Sequence, residues 1–121
     1  MWKKIDSEEL VSSRWVGVTK ERIQLPNGEN IEDFYKIKVS NASAVIALTE
    51  ENHIILKSEY RYCYNRELIE LPSGVFEEYE TDPLAVAKRE LLEETGYASD
   101  EWVYLGETIE NSAKLTNTIY L

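Results

Sequence analysis

Glu90, Glu93 and Glu94 stand at i, i+3 and i+4 in the run Arg89-Glu90-Leu91-Leu92-Glu93-Glu94-Thr95-Gly96, a spacing that gathers side chains on one face of an α-helix. Three carboxylates so close repel one another and weaken an isolated helix. A hard divalent cation removes the repulsion, because Mg²⁺ and Mn²⁺ favour carboxylate oxygens completed by water and phosphate oxygens. A metal held there polarises a phosphoryl oxygen, neutralises developing charge and lowers the pKa of an attacking water. Arg89 adjoins the face and can orient a carboxylate through a two-pronged contact. Arg89, Glu90, Glu93 and Glu94 are therefore the candidate catalytic residues, and the three glutamates candidate ligands for Mg²⁺ or Mn²⁺. A glutamate-rich helix face can equally be a solvated surface. What sets this one apart is its approach: Leu71-Pro72-Ser73-Gly74, an acidic loop, and a helix begun by proline.

The helix is marked at both ends. Asp82 is a natural N-cap, Pro83 suits the first helical position, and Gly96 fits the residue just past the C-terminus. Leu84, Ala87 and Leu91, with Ala85 and Leu92, can supply its apolar side. Upstream, Ser7 to Val11 reads as a short helical turn. Trp15 to Leu25 reads as a strand, Pro26-Asn27-Gly28 as a turn, and a second strand ends in Tyr35, Ile37 and Val39, so the pair forms a hairpin. Ala42 to Leu48 is an apolar run of buried-strand type. It is followed by a turn at Glu50 to His53 and a partner strand from Ile54 to Tyr60. The alternation of Tyr60, Tyr62 and Tyr64 marks an extended segment, and Glu67 to Leu71 is short and extended. Trp102 to Thr108 reads as another strand, and Thr118 to Leu121 as the beginning of one more.

A chain of 121 residues fits one compact domain. Hydrophobic residues make up 43% and charged residues 30%, the balance of a folded globular protein rather than a disordered one. No apolar run approaches the roughly 20 residues of a membrane span, and the opening Met1 to Asp6 has no apolar stretch behind its lysines, so neither a membrane anchor nor a secretory signal is expected. The single cysteine, Cys63, excludes an internal disulfide and suits a cytoplasmic protein. It lacks any accompanying pattern for a nucleophilic thiol, and His53 has no partner histidine at ligand spacing. A net charge of −10 argues against binding a nucleic-acid polymer. It does not argue against a small phosphorylated ligand, which a bound cation can bridge to an acidic site.

The segment from Gly74 to Tyr97 resembles the signature of the Nudix hydrolases: a glycine, a spaced glutamate, then Arg-Glu-apolar-x-Glu-Glu-x-Gly-apolar. Gly74, Arg89, Glu90, Leu91, Glu93, Glu94, Gly96 and Tyr97 match it. The family pattern places five residues between the glycine and the first glutamate and seven between that glutamate and the arginine. Here Gly74 to Glu80 encloses five, but Glu80 to Arg89 encloses eight, and Thr81 holds the strict glutamate position. The resemblance makes Glu80 a fourth candidate metal ligand, carried on a loop one residue longer. Trp15, the Pro26-Asn27-Gly28 turn, Glu59-Tyr60-Arg61 and Glu70 to Gly74 resemble the ADP-ribose pyrophosphatase branch.

That resemblance implies an α/β (α+β) fold: a mixed β-sheet sandwich with the signature loop and helix, preceded by an N-terminal antiparallel hairpin. The hairpin would occupy residues 1–40 and an incomplete core residues 41–121 of a single domain. It implies a Mg²⁺-dependent pyrophosphohydrolase cleaving a nucleoside diphosphate sugar, ADP-ribose to AMP and ribose 5-phosphate first. Arg61, Trp15, Glu70 and Gly74 become the candidate substrate-binding residues: Arg61 for the diphosphate, Trp15 to stack on adenine or simply to pack the hairpin. It further implies a homodimer joined through the hairpin. Relatives in the branch continue with further strands and a late loop whose carboxylate is implicated as general base, so this chain reads as short at its C-terminus, either partial or naturally brief. The other reading is a catalytically idle module that binds a nucleotide or a protein partner.

Overall fold

Alternating side chains and a Gly28 turn organise the first forty residues into an antiparallel sheet. The computed structural model of the chain describes all of residues 1–121. Strands β1 (Lys3–Ser12), β2 (Gly17–Gln24) and β3 (Asn30–Lys38) lie in the order β1-β2-β3. The β2–β3 connection is the expected turn, with Gly28 at φ 90°, a backbone conformation that glycine adopts without a steric penalty. The expected helical turn at Ser7 to Val11 is instead the middle of β1. One turn of helix has no stability of its own, whereas this segment gains a ladder with β2, in which Glu8 faces Lys20 and Val11 faces Val18.

The chain divides into two compact units. The first comprises residues 1–40 with 109–117. There Leu115 bridges Ile37, and the Lys114 ammonium lies 5.3 Å from the centre of the Phe34 ring. The second comprises residues 41–108 with 118–121, and it carries the acidic helix. It contains β4 (Ala42–Ala44), β5 (Lys57–Arg61), β6 (Arg66–Glu70), β7 (Ser73–Val75), the helix α1 (Pro83–Thr95), β8 (Glu107–Thr108) and β9 (Ile119–Tyr120). Four of these strands form a mixed sheet in the order β7-β4-β9-β8, with β4 and β9 parallel and the other pairs antiparallel. Strands β5 and β6 form a separate antiparallel pair.

The strand expected from Ile54 to Tyr60 pairs little with the apolar run before it, its expected partner. Only a bridge between Leu48 and Ile54 and the hydrogen bond from Ile55 N–H to the Ala47 carbonyl (2.9 Å) join those two. The main ladder of β5 is with β6 instead. The connection from β5 to β6 is a 3₁₀ turn at Tyr62–Tyr64 closed by Asn65 at φ 52°, so the tyrosine alternation does not mark an extended segment. Tyr60 Oη donates to Asn65 Oδ1 at 2.7 Å across this turn, and an asparagine is among the few residues that enter the left-handed region readily. The strand expected over Trp102 to Thr108 is reduced to Glu107–Thr108, extended by Leu105 N–H donating to the Leu121 carbonyl at 2.8 Å.

Helix α1 begins and ends where its capping residues dictate. The Asp82 side chain accepts from the Leu84 N–H at 3.0 Å, and Gly96, at φ 76°, donates to the Leu92 carbonyl at 2.9 Å. The helix packs on β4 and β7, and buried Ser43 of β4 donates its hydroxyl to the Pro83 carbonyl at 2.9 Å. Its buried residues are Val86, Ala87 and Leu91, while Leu84 and Leu92 are 42% and 54% exposed. Ala87 and Leu91 join Val45, Ala47 and Trp102 in a small core. No helix is long and apolar enough to cross a membrane.

Candidate active site

Three pieces of the second unit converge on one cavity of about 370 Å³: the inward residues of β5, the start of β7, and one face of α1. The alternation of β5 points Lys57, Glu59 and Arg61 to one side, and all three line the cavity with Ser73, Gly74, Glu90 and Glu94. Three carboxylates and two cations therefore share a small, partly enclosed space.

Each charge there is held. Glu94 accepts from the Ser73 N–H through Oε2 at 2.9 Å, and its Oε1 is paired with the Lys57 ammonium. The same ammonium donates to Glu59 Oε2 at 2.6 Å. Burial pulls the pKa of Lys57 down, but the hydrogen bonds to Glu59 and Glu94 and the charge of both outweigh it, and the net displacement is upward. Arg61 grips Glu70 through Nε at 2.9 and 3.2 Å and through Nη2 at 2.5 Å, and its Nη1 lies 3.1 Å from Glu59. The Arg61 hydrogen bonds hold the Glu70 carboxyl below its ordinary value of 4.5. A guanidinium has five N–H donors; the hydrogen bonds to Glu70 use the one on Nε and one on Nη2.

Arg89 organises the other flank. Its Nε and Nη2 each donate to Glu80 at 2.9 Å, Nη1 donates to Glu90 at 2.6 Å and to Glu93 at 3.3 Å, and Nη2 reaches the Val75 carbonyl at 3.3 Å. The Arg89 hydrogen bonds, with one from the Glu77 N–H, hold the Glu80 carboxyl below the usual carboxylate range. In return the guanidinium is held well above its own. Glu80 is thus turned to Arg89 and does not line the cavity, and the Glu93 side chain is 60% exposed. Glu90 enters by a different route: its carboxylate lies against Gly74, where any Cβ would overlap it.

Of the residues singled out in the sequence, Arg61, Gly74, Glu90 and Glu94 come together; Glu70 and Arg89 hold members of that set, and Glu80 and Glu93 lie around Arg89. Trp15 belongs to the first unit. It is 63% exposed, with the Arg14 guanidinium 4.2 Å from its ring centre. Lys57 and Ser73 were not singled out. The period-2 run Lys57-x-Glu59-x-Arg61 was the available signal for Lys57.

The three helix carboxylates do not surround one point, because Arg89 and Lys57 engage them separately. Glu59, Glu90 and Glu94 do not converge on one point either, yet carboxylate oxygens lining a single cavity are the donor chemistry that a hard cation completed by water takes. A side-chain ammonium already bridges two of them.

Residues 39–117 match the NUDIX domain, and residues 2–37 match the nucleoside diphosphate sugar hydrolase N-terminal domain. The chain belongs to the Nudix hydrolase family. This Nudix chain is 37% identical over 103 residues to a methanol dehydrogenase activator of Bacillus methanolicus, covering 85% of this chain and 55% of that protein. It is 36% identical over 97 residues to an ADP-ribose pyrophosphatase of Bacillus subtilis (strain 168), covering 80% and 51%. An ADP-ribose pyrophosphatase of Mycobacterium tuberculosis is 29% identical over 109 residues, covering 86% and 50%. The chain spans about half the length of these curated relatives. The crystal structure of an ADP compounds hydrolase superposes with a TM-score of 0.83 over 98% of this chain and 64% of its own, at 18% identity, which establishes the shared Nudix fold.

Proposed function

We propose that this Nudix protein hydrolyses the diphosphate of a nucleoside diphosphate sugar, with ADP-ribose as first substrate and Mg²⁺ as cofactor. The observation that carries the reading is the cavity in which Glu59, Glu90 and Glu94 face Lys57 and Arg61. Carboxylates alone would repel a diphosphate and cations alone would need no metal; together they suit a phosphate brought in with a divalent ion. The match of residues 2–37 to a nucleoside diphosphate sugar hydrolase N-terminal domain supports the substrate class, and the two related ADP-ribose pyrophosphatases support the particular sugar.

In the proposed reaction water adds to one phosphorus of ADP-ribose and the bond to the bridging oxygen breaks, giving AMP and ribose 5-phosphate. Glu90 and Glu94, with Glu59, are the residues that would hold Mg²⁺, whose chemistry when bound is to polarise phosphoryl oxygens and acidify a water. Arg61, held by its hydrogen bonds to Glu70 and its ion pair with Glu59, can present its remaining N–H groups to phosphate oxygens without first having to be ordered. Arg89 fixes Glu90 and keeps Glu93 and Glu80 alongside. The Ser73 N–H fixes Glu94.

A second reading, a module that binds nucleotide or protein without turnover, draws on the ion pairs that already satisfy the helix carboxylates. Incubation with ADP-ribose and Mg²⁺, with release of AMP and ribose 5-phosphate followed by chromatography, separates the two. Metal-dependent release that is lost in Glu90→Gln and Glu94→Gln supports the enzyme. Binding without release across several nucleotide sugars refutes it in favour of the module.

A further inference from the structure

The Lys57 ammonium occupies an unusual position for a lysine. Its side chain is only 10% exposed, and it sits between Glu59 Oε2, at 2.6 Å, and Glu94 Oε1, one carboxylate from a strand and one from the helix. Both carboxylates line the candidate cavity, and Glu94 is held from its other side by the Ser73 N–H. A carboxylate pair that converges on one cation presents to that cation much the same oxygens it would present to a metal ion. The lysine differs in being tethered, so it cannot diffuse away, and in carrying one charge rather than two.

From this arrangement we infer that Lys57 is a built-in placeholder cation, which fills the carboxylate site when no metal is present and must swing aside for a divalent ion to bind. The inference rests on the proposed metal-dependent reading of the same cavity and adds to it a residue that regulates entry. Two consequences follow from the geometry. Without metal, the ammonium cancels repulsion between Glu59 and Glu94 and keeps β5 and α1 in register around an otherwise acidic space. With metal, the displaced ammonium remains in a cavity it shares with Arg61, and it no longer competes for the oxygens that the ion takes. Metal affinity is therefore set by the difference between two cations rather than by the carboxylates alone.

The test is direct Mn²⁺ binding, followed by the electron paramagnetic resonance of free Mn²⁺, in the wild-type chain and in Lys57→Met, whose side chain has similar length and no charge. Removing one positive charge a few ångströms from a divalent ion is expected to tighten binding about tenfold or more, even at a water-like dielectric. A companion measurement needs no variant: acetylation of wild-type lysines, read by mass spectrometry with exposed Lys3 as internal reference, should show Lys57 protected without Mn²⁺ and several-fold more reactive with it. Unchanged or weaker Mn²⁺ binding by Lys57→Met overturns the inference, as does a Lys57 that stays protected when Mn²⁺ is bound. If neither chain binds Mn²⁺, or if Glu94→Gln leaves binding unaltered, the metal reading of the cavity itself is overturned and the placeholder with it.

Discussion

Gly74→Ala separates the chemistry of the site from the stability of the fold. Gly74 lies in β7 with no left-handed backbone requirement, so alanine meets no conformational obstacle there. Its Cβ, however, would stand inside the space of the Glu90 carboxylate. That carboxylate is the end of a flexible side chain and can yield, but it must retreat by roughly 1 Å or more to restore an ordinary non-bonded separation of ~3.5 Å. Retreat strains the 2.6 Å contact with Arg89 Nη1, a charge-assisted hydrogen bond of about 1.5–3 kcal/mol in general. Part of that is recovered as Arg89 keeps Glu80 and the Val75 carbonyl. The expected loss of stability is therefore at most about 2 kcal/mol, a fall in Tm of less than about 10 °C for a domain of this size. Misplacing a reacting group by 1 Å can cost about a hundredfold in rate, which corresponds to about 2.7 kcal/mol of barrier. The assay is release of AMP from ADP-ribose beside a thermal unfolding scan. Turnover within about threefold of wild type would show that Glu90 does not need its place against Gly74, and the reasoning would fail.

Arg89→Lys retains the charge but removes the fork that spans Glu80, Glu90 and Glu93; we expect turnover to drop about tenfold or more while the circular dichroism stays that of a folded chain. Folding should be acid-sensitive in a defined window. The Glu70 carboxyl is held below its ordinary 4.5 by Arg61, so the stability it contributes is present in full above that value and lost as pH falls through the lower, folded-state value. Denaturant midpoints should then be flat from pH 7 to about 5 and decline below about 4.5, with a shallower decline in Arg61→Gln. Val86→Ala removes two methyl groups from a fully buried position on α1; unfolding titrations should show a loss of about 2–3 kcal/mol, and a loss under 0.5 kcal/mol would refute the burial argument.

Local chemistry was legible in the sequence, and pairing between distant segments was not. The limits of α1 follow from Asp82, Pro83 and Gly96, whose effects reach only a turn away, and the structure places them as read. The turn at Gly28 is legible for the same reason. The glutamate spacing located a helix face but not its orientation. Residues at i and i+4 lie more nearly in line than those at i and i+3, and it is Glu90 and Glu94 that enter the cavity while Glu93 stays outside. Val86 was missed because α1 packs on both β4 and β7, which shifts the buried face from Leu84 and Leu92 towards Val86. Segment Ser7 to Val11 became strand through its partner β2, and Lys57 gained its role from a helix 37 residues away. The first partner is the adjacent strand, whose ladder outweighs a local helical tendency, and the second is not encoded near Lys57 at all.

The parallel pairing of β4 with β9 has a consequence for synthesis. Ala42 N–H donates to the Thr118 carbonyl at 3.0 Å, and the Thr118 N–H donates to Asn41, 77 residues earlier. Closing a loop of 77 residues costs roughly 4 kcal/mol of chain entropy beyond a fixed term, which must be met before the sheet returns anything. The backbone also leaves the second unit after Thr108 and re-enters it at Thr118, having spent the interval in the first. Neither unit is thus contained in an unbroken stretch of chain. A ribosome extending this polypeptide can release the β1–β3 meander and the capped helix early, but the place beside β4 stays open until Ile119 and Tyr120 emerge. Until then β4 offers its unpaired edge to other chains, and the second unit should assemble late, slowly and all at once.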